Sequence, residues 1–148
     1  MSEPGATRGF SVQSNTDPAG NVDLPLASIR AVYPALGDAG FRALVEDFYG
    51  RVEADEPLRR VFPDNLTDGR EHQFLFLTQY FGGPNRYSQQ VGPPMLRMRH
   101  MPFEIDRAAR DLWLKHMLEA IEATAVPEPH ASTLRLYFTQ FSLHMIVR

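Results

Sequence analysis

Along most of this chain, apolar side chains return every three or four positions, the period of a helix with one buried face. Phe41, Leu44, Val45, Phe48, Tyr49 and Val52 make one such stripe behind Asp38, an N-cap residue type. Pro57 and Pro63 then confine residues 58–62 to one or two helical turns. A second stripe covers residues 66–81 and stops at Gly82, Gly83 and Pro84. Residues 82–99 carry Gly92, Pro93 and Pro94 as well, which leaves no room for a long regular helix. Ile105, Ala109, Leu112, Trp113, His116, Met117, Ala120 and Ile121 form the third stripe. Beyond Pro127 and Pro129, Leu134, Tyr137, Phe138, Phe141 and Met145 form the fourth. Alternation of period two is nowhere sustained, so the pattern predicts an all-α fold without an internal repeat.

The first 25 residues break the pattern. They hold three Gly and three Pro and only scattered apolar side chains, too few to offset the entropy of ordering them. The expected organisation is a flexible tail, residues 1–25, ahead of one helical domain, residues 26–148. The tail lacks the basic start and continuous apolar stretch of a secretory signal, and a cytoplasmic location is expected. A length of 148 residues fits one domain. The formal net charge of -3 supplies no strong pull toward nucleic acid. No apolar run approaches the roughly 18 residues of a membrane span. Cysteine is absent, so any metal must be held by His or carboxylate.

Polar groups stand where the stripes call for apolar ones. Gln73 lies on the inner face of the second stripe, Trp113 on the third and Tyr49 on the first. Taken singly, Gln73 can bond to backbone or water and Trp113 can simply pack. A buried amide without a partner costs about 1–3 kcal/mol, and three such groups from three helices point to something polar bound between them.

Of the histidines, His130 follows Pro129 and reads as solvated, whereas His116 and His144 fall on or near apolar faces, as core histidines do. There is no His-Glu-x-x-His and no Glu-x-x-His, which removes the zinc-hydrolase and di-iron patterns. His100 differs in sitting in LRMRHMPF, a short segment ahead of the third stripe. One imidazole there is the minimum that haem iron requires.

Five strings, in order along roughly residues 30–147, carry a resemblance: FRALVEDFYGRVEADEPLRRVFP, QYFGGP, Tyr87-Ser88, LRMRHMPFEI and RDLWL. The chain resembles the truncated haemoglobins of the second group, the two-on-two helical globins. The resemblance implies a two-on-two helical sandwich around haem b. It implies His100 as the proximal iron ligand, with Tyr49, Gln73 and Trp113 as distal donors to bound O2, CO or NO. It places Arg99 and Tyr87 on the haem propionates, with His72 beside them. Phe62, Phe76, Leu77, Leu96, Phe103 and Ile105 would line the apolar pocket. Relatives can carry Tyr or His in place of Phe62, so one distal hydrogen bond is missing here. Gly69 replaces the bulky distal gate of ordinary globins.

The implied activity is reversible O2 binding and transport by a monomer or homodimer. Several hydrogen bonds to bound O2 would slow its release, which favours binding coupled to chemistry or sensing over simple delivery. The alternative is a haem-dependent redox enzyme, a nitric oxide dioxygenase or a peroxidase-like protein, fed by an external reductase. A haem-free helical interaction module is the third class, and His100 together with Tyr49 and Trp113 speaks against it.

Overall fold

The computed structural model describes residues 22–100 and 105–146, the side chains of Arg97 and Met98 excepted. Among these residues eight helices follow one another: α1 (Leu26–Arg30), α2 (Val32–Ala54), α3 (Glu56–Arg59), α4 (Thr67–Tyr80), α5 (Arg86–Gln90), α6 (Leu96–His100), α7 (Arg107–Ala123) and α8 (His130–His144). Among the described residues there is no strand, as the periodicity predicts. None of these helices is long and apolar enough to cross a membrane.

The four long helices associate as two pairs, α2 against α4 and α7 against α8, and α2 also packs on α7. Burial follows the stripes. Phe41, Leu44, Val45, Phe48 and Val52 of α2 are shut away from solvent against Met117 and Ile121 of α7, Leu134 and Phe138 of α8 and their neighbours. Each such side chain stabilises the fold by about 1.5–3 kcal/mol relative to exposure. The core is aromatic-rich, with Phe81 edge-on to Tyr137 at 5.1 Å and Tyr137 stacked on Phe141 at 5.5 Å.

Three expectations need correction. Asp38 does not cap its helix through its side chain. The break in α2 falls at Gly37, whose φ of 67° separates residues 32–36 from residues 38–54. The Asp38 carboxylate instead accepts from Tyr33 Oη at 2.8 Å and Arg86 Nη2 at 2.7 Å, tying α2 to α5. The packed chain also starts earlier than Leu26. Val22 is buried, and the Asp23 backbone N–H donates to Gln140 Oε1 at 2.8 Å on α8. Residues 1–21 lie outside the described part.

The third correction concerns the run from Asp55 to Arg60, whose density of charge in the sequence reads most simply as a solvent-facing stretch. Glu56 and Arg60 are exposed. Asp55 is not: its carboxylate caps α3 at Leu58 N and accepts from His116 Nε2 at 2.7 Å. His116 is thus the engaged core histidine that its apolar face predicted, bonded across from α7. The hydrogen bond to His116 holds the Asp55 pKa below the usual aspartate value. A depressed carboxylate contributes stability that is full above its unfolded pKa and is lost as pH falls through the folded one. Asp55→Asn should therefore lower Tm at neutral pH, and the gap to the parent chain should close below about pH 4. Thermal unfolding followed by circular dichroism across that range checks this; a gap that does not vary with pH would contradict it.

Candidate functional site

The two helix pairs enclose a cavity of about 380 Å³, within the usual size range of small-molecule sites. Its walls are mostly apolar, with a few polar groups among them. Twelve of the thirteen residues that the sequence singled out for a site line it: Tyr49, Phe62, His72, Gln73, Phe76, Leu77, Tyr87, Leu96, Arg99, His100, Ile105 and Trp113. The thirteenth, Phe103, lies outside the described residues.

His100 closes α6, a helix of five residues. Its Nδ1 sits 2.6 Å from the Leu96 carbonyl oxygen. A carbonyl can only accept, so Nδ1 carries the proton and Nε2 keeps its lone pair. Burial pushes the His100 pKa down, partly opposed by that bond to Leu96. The imidazole is therefore held neutral, in the tautomer a metal ligand needs, by a backbone partner that fixes the ring.

The three inward polar groups do converge. Tyr49 comes from α2, Gln73 from α4 and Trp113 from α7, and all three line the same cavity. Desolvation raises the Tyr49 phenol to about 12, so at neutral pH it remains a donor. Gln73 Oε1 is fully buried and has no hydrogen-bond partner. Rotation exchanges the oxygen and nitrogen of an amide, so Gln73 can present N–H or C=O to a guest. Trp113 stands among Phe48, Phe138 and Phe141 at ring distances of 5.2, 5.7 and 6.1 Å. It packs, as the simpler reading predicts, and it also forms part of the wall.

Another part of the wall gathers Tyr87, His72 and Arg99. Tyr87 is buried, edge-on to Phe76 at 5.4 Å and to His72 at 6.4 Å. Arg99 is exposed, and its guanidinium donates to the carbonyls of Pro94 at 2.8 Å and Pro93 at 3.0 Å. Two of its five N–H groups are thereby used, which leaves donors for an anionic guest.

Sequence reasoning missed the contribution of α8 and of Arg110. Tyr137, Phe138, Phe141 and Met145 were legible as core, but they also line the cavity, with Ser142 beside them. Periodicity reports a buried face and cannot report that the face meets a void. Arg110 of α7 is mostly buried, and its guanidinium donates to Ser142 Oγ at 2.9 Å and the Thr139 carbonyl at 3.1 Å. Its place in RDLWL was a signal, read only as part of a string.

The residues fit a haem. An apolar cavity would receive the macrocycle, a neutral imidazole with a free lone pair suits the iron, and the buried Gln73 amide oxygen lacks the polar partner that a guest would bring.

Comparison with known proteins agrees with this fit. The bacterial-like globin family matches residues 31–147. A group 2 truncated haemoglobin of Bacillus subtilis (strain 168) is 43% identical over 95 residues, covering 64% of this chain and 72% of that relative. Among solved structures, the haemoglobin of the thermophilic phototrophic bacterium Chloroflexus aurantiacus is similar with a TM-score of 0.77 and 51% identity, over 79% of this chain and 98% of that one. The truncated oxygen-avid haemoglobin of Bacillus subtilis is similar with a TM-score of 0.74 and 37% identity, over 77% of this chain and 97% of that one.

Proposed function

The chain belongs to the bacterial-like globin family, as a group II truncated haemoglobin, and from that premise we propose that it holds haem b on His100 and binds O2 reversibly among Tyr49, Gln73 and Trp113. The observation that carries the reading is His100 itself: a half-buried imidazole with Nδ1 committed to the Leu96 carbonyl, in the wall of the same cavity as the three polar groups. Bound haem supplies an iron with an open position for a diatomic gas.

The chain's own residues do the rest. His100 provides the neutral Nε2, and its bond to Leu96 fixes the ring. Tyr87, Arg99 and His72 hold the propionates, Arg99 through a charge-assisted bond. Phe62, Phe76, Leu77, Leu96 and Ile105 keep the pocket dry, which strengthens each polar contact made inside it. The Tyr49 hydroxyl, the Gln73 amide and the Trp113 indole N–H are donors to the gas. O2 held at such an iron would carry more negative charge than CO, so these donors would favour O2.

Each donor contributes about 0.5–1.5 kcal/mol, or up to 3 where charge assists. At 1.4 kcal/mol per factor of ten, two good donors slow O2 release enough to hinder a delivery role. The same crowding of donors favours the second reading, a nitric oxide dioxygenase, in which bound haem would let O2 and nitric oxide combine to nitrate with one electron per turnover from an external reductase.

Absorption spectra of the purified protein test the proposal: ferric, then ferrous, then ferrous under CO. A Soret band that shifts on reduction and again with CO is the expected result. Protein that takes up no haem when haem is added in solution would overturn it.

A further inference from the structure

Gly69 is an exposed residue in the first turn of α4, four positions before Gln73 and so on the same side of the helix. Its φ lies in the ordinary range for L-residues, and the backbone there has no need of glycine. Space does. A Cβ added at Gly69 would lie 2.9 Å from Tyr49 Oη, closer than real Cβ atoms come to the side chain of another element, while the next atoms, Tyr49 Cζ and Cε1, stand at 3.7 and 4.0 Å, ordinary contact. The phenol oxygen occupies the place of the missing side chain.

The ring has packed neighbours and otherwise faces the cavity that Tyr49 lines. Phe48 meets it edge-on at 5.4 Å and Phe62 at 5.9 Å, and the Arg70 guanidinium lies 5.4 Å from its centroid. A methyl group at position 69 must therefore displace the hydroxyl itself.

We propose that Gly69 is a positioning residue for Tyr49: the absent side chain is the seat that holds the phenol oxygen against α4, beside Gln73, where it can donate to a gas in the cavity. The packing part of this stands on the protein alone; its consequence for the gas rests on the haem reading above. An open distal position would ease gas entry whatever residue stood at 49. A seat for the hydroxyl matters only while the hydroxyl is there.

That difference gives the test, a cycle of Gly69→Ala in the Tyr49 chain and in the Tyr49→Phe chain, all four as purified. In the Tyr49→Phe background the nearest atom is the ring carbon at 3.7 Å, so alanine fits. Tm should rise there by about 1–4 °C, the usual gain from Gly→Ala at a compatible site. In the Tyr49 background the gain should vanish or reverse. Thermal unfolding needs no bound gas, so this arm decides the seat even if the protein proves haem-free. An equal rise in Tm in both backgrounds would overturn the proposal.

The second arm measures O2 dissociation by stopped flow and the C–O stretch by infrared spectroscopy. In the Tyr49 chain, Gly69→Ala should speed O2 dissociation about fivefold, as expected for a misplaced donor, and shift the C–O band. In the Tyr49→Phe chain both should move far less. Equal changes in both backgrounds would mark Gly69 as an access residue only and overturn its link to the gas.

Discussion

His100→Ala should abolish the histidine-ligated haem spectrum, and His130→Ala should leave spectrum and haem content unchanged. The expected loss is complete rather than graded, because of what else stands near the cavity. His116 has its Nε2 on Asp55 and is not in the wall. His130, the first residue of α8, is also outside the wall. His72 is in the wall, but it is exposed and set beside Tyr87, the group proposed to hold propionates. The substitution also leaves the Leu96 carbonyl without its 2.6 Å donor, a cost of about 1–3 kcal/mol if the carbonyl stays dry. Haem content and the ferrous spectrum, recorded with and without added imidazole, check the result. Rescue by imidazole would show an intact pocket lacking only its ligand. A histidine-ligated spectrum without imidazole would overturn the assignment and pass the role to His72.

The second large effect is expected on the opposite partner of the pocket. Trp113→Phe keeps an aromatic ring against Phe48, Phe138 and Phe141 but deletes the N–H. If that N–H donates to O2, dissociation should quicken by roughly five- to tenfold, the equivalent of about 1–1.5 kcal/mol. CO carries less charge when bound, so its dissociation should change much less. A packing residue gives a different result: loss of the larger ring opens space, and both gases shift together. Stopped-flow dissociation of O2 and CO from the same preparation separates the two. Equal changes would remove Trp113 from the donors and leave the haem assignment standing. Tyr49 and Gln73 line the same cavity, so removing either can be compensated by the other, and their effects need not add.

The long helices were legible because a buried stripe at period 3.6 needs no tertiary information. The stop at Gly82, Gly83 and Pro84 was written in residue chemistry; the break at Gly37 went unread, and Asp38 beside it was misread as a cap. Helices α1, α5 and α6 span only five residues each, too few to show a period, and none was predicted. Val22 looked like part of a polar tail because a single apolar residue carries no pattern; the bond that ties this stretch down, from Asp23 to Gln140 of α8, spans 117 positions. The convergence of Tyr49, Gln73 and Trp113 was legible as three anomalies on three faces, but only the packing of α2, α4 and α7 could bring them to one void. Asp55 was unreadable for the same reason, since its partner His116 lies 61 positions on. Periodicity set His116 on an apolar face and His100 apart from one, without making either a ligand. The resemblance ranked them, and the geometry supplies a reason: one imidazole is bonded to a carboxylate, the other to a carbonyl that leaves a lone pair open.

Phe141 stands near two of the residues on which the site depends. Its ring lies edge-on to His100 at 6.5 Å and 6.1 Å from Trp113, on the stretch of α8 that Arg110 grips at Thr139 and Ser142. The proposed iron ligand and the proposed gas donor therefore share a neighbour. Evolution acting on this pocket cannot tune grip on the metal and grip on the gas as separate traits: a substitution that shifts this ring alters both, and a variant selected for one inherits a change in the other.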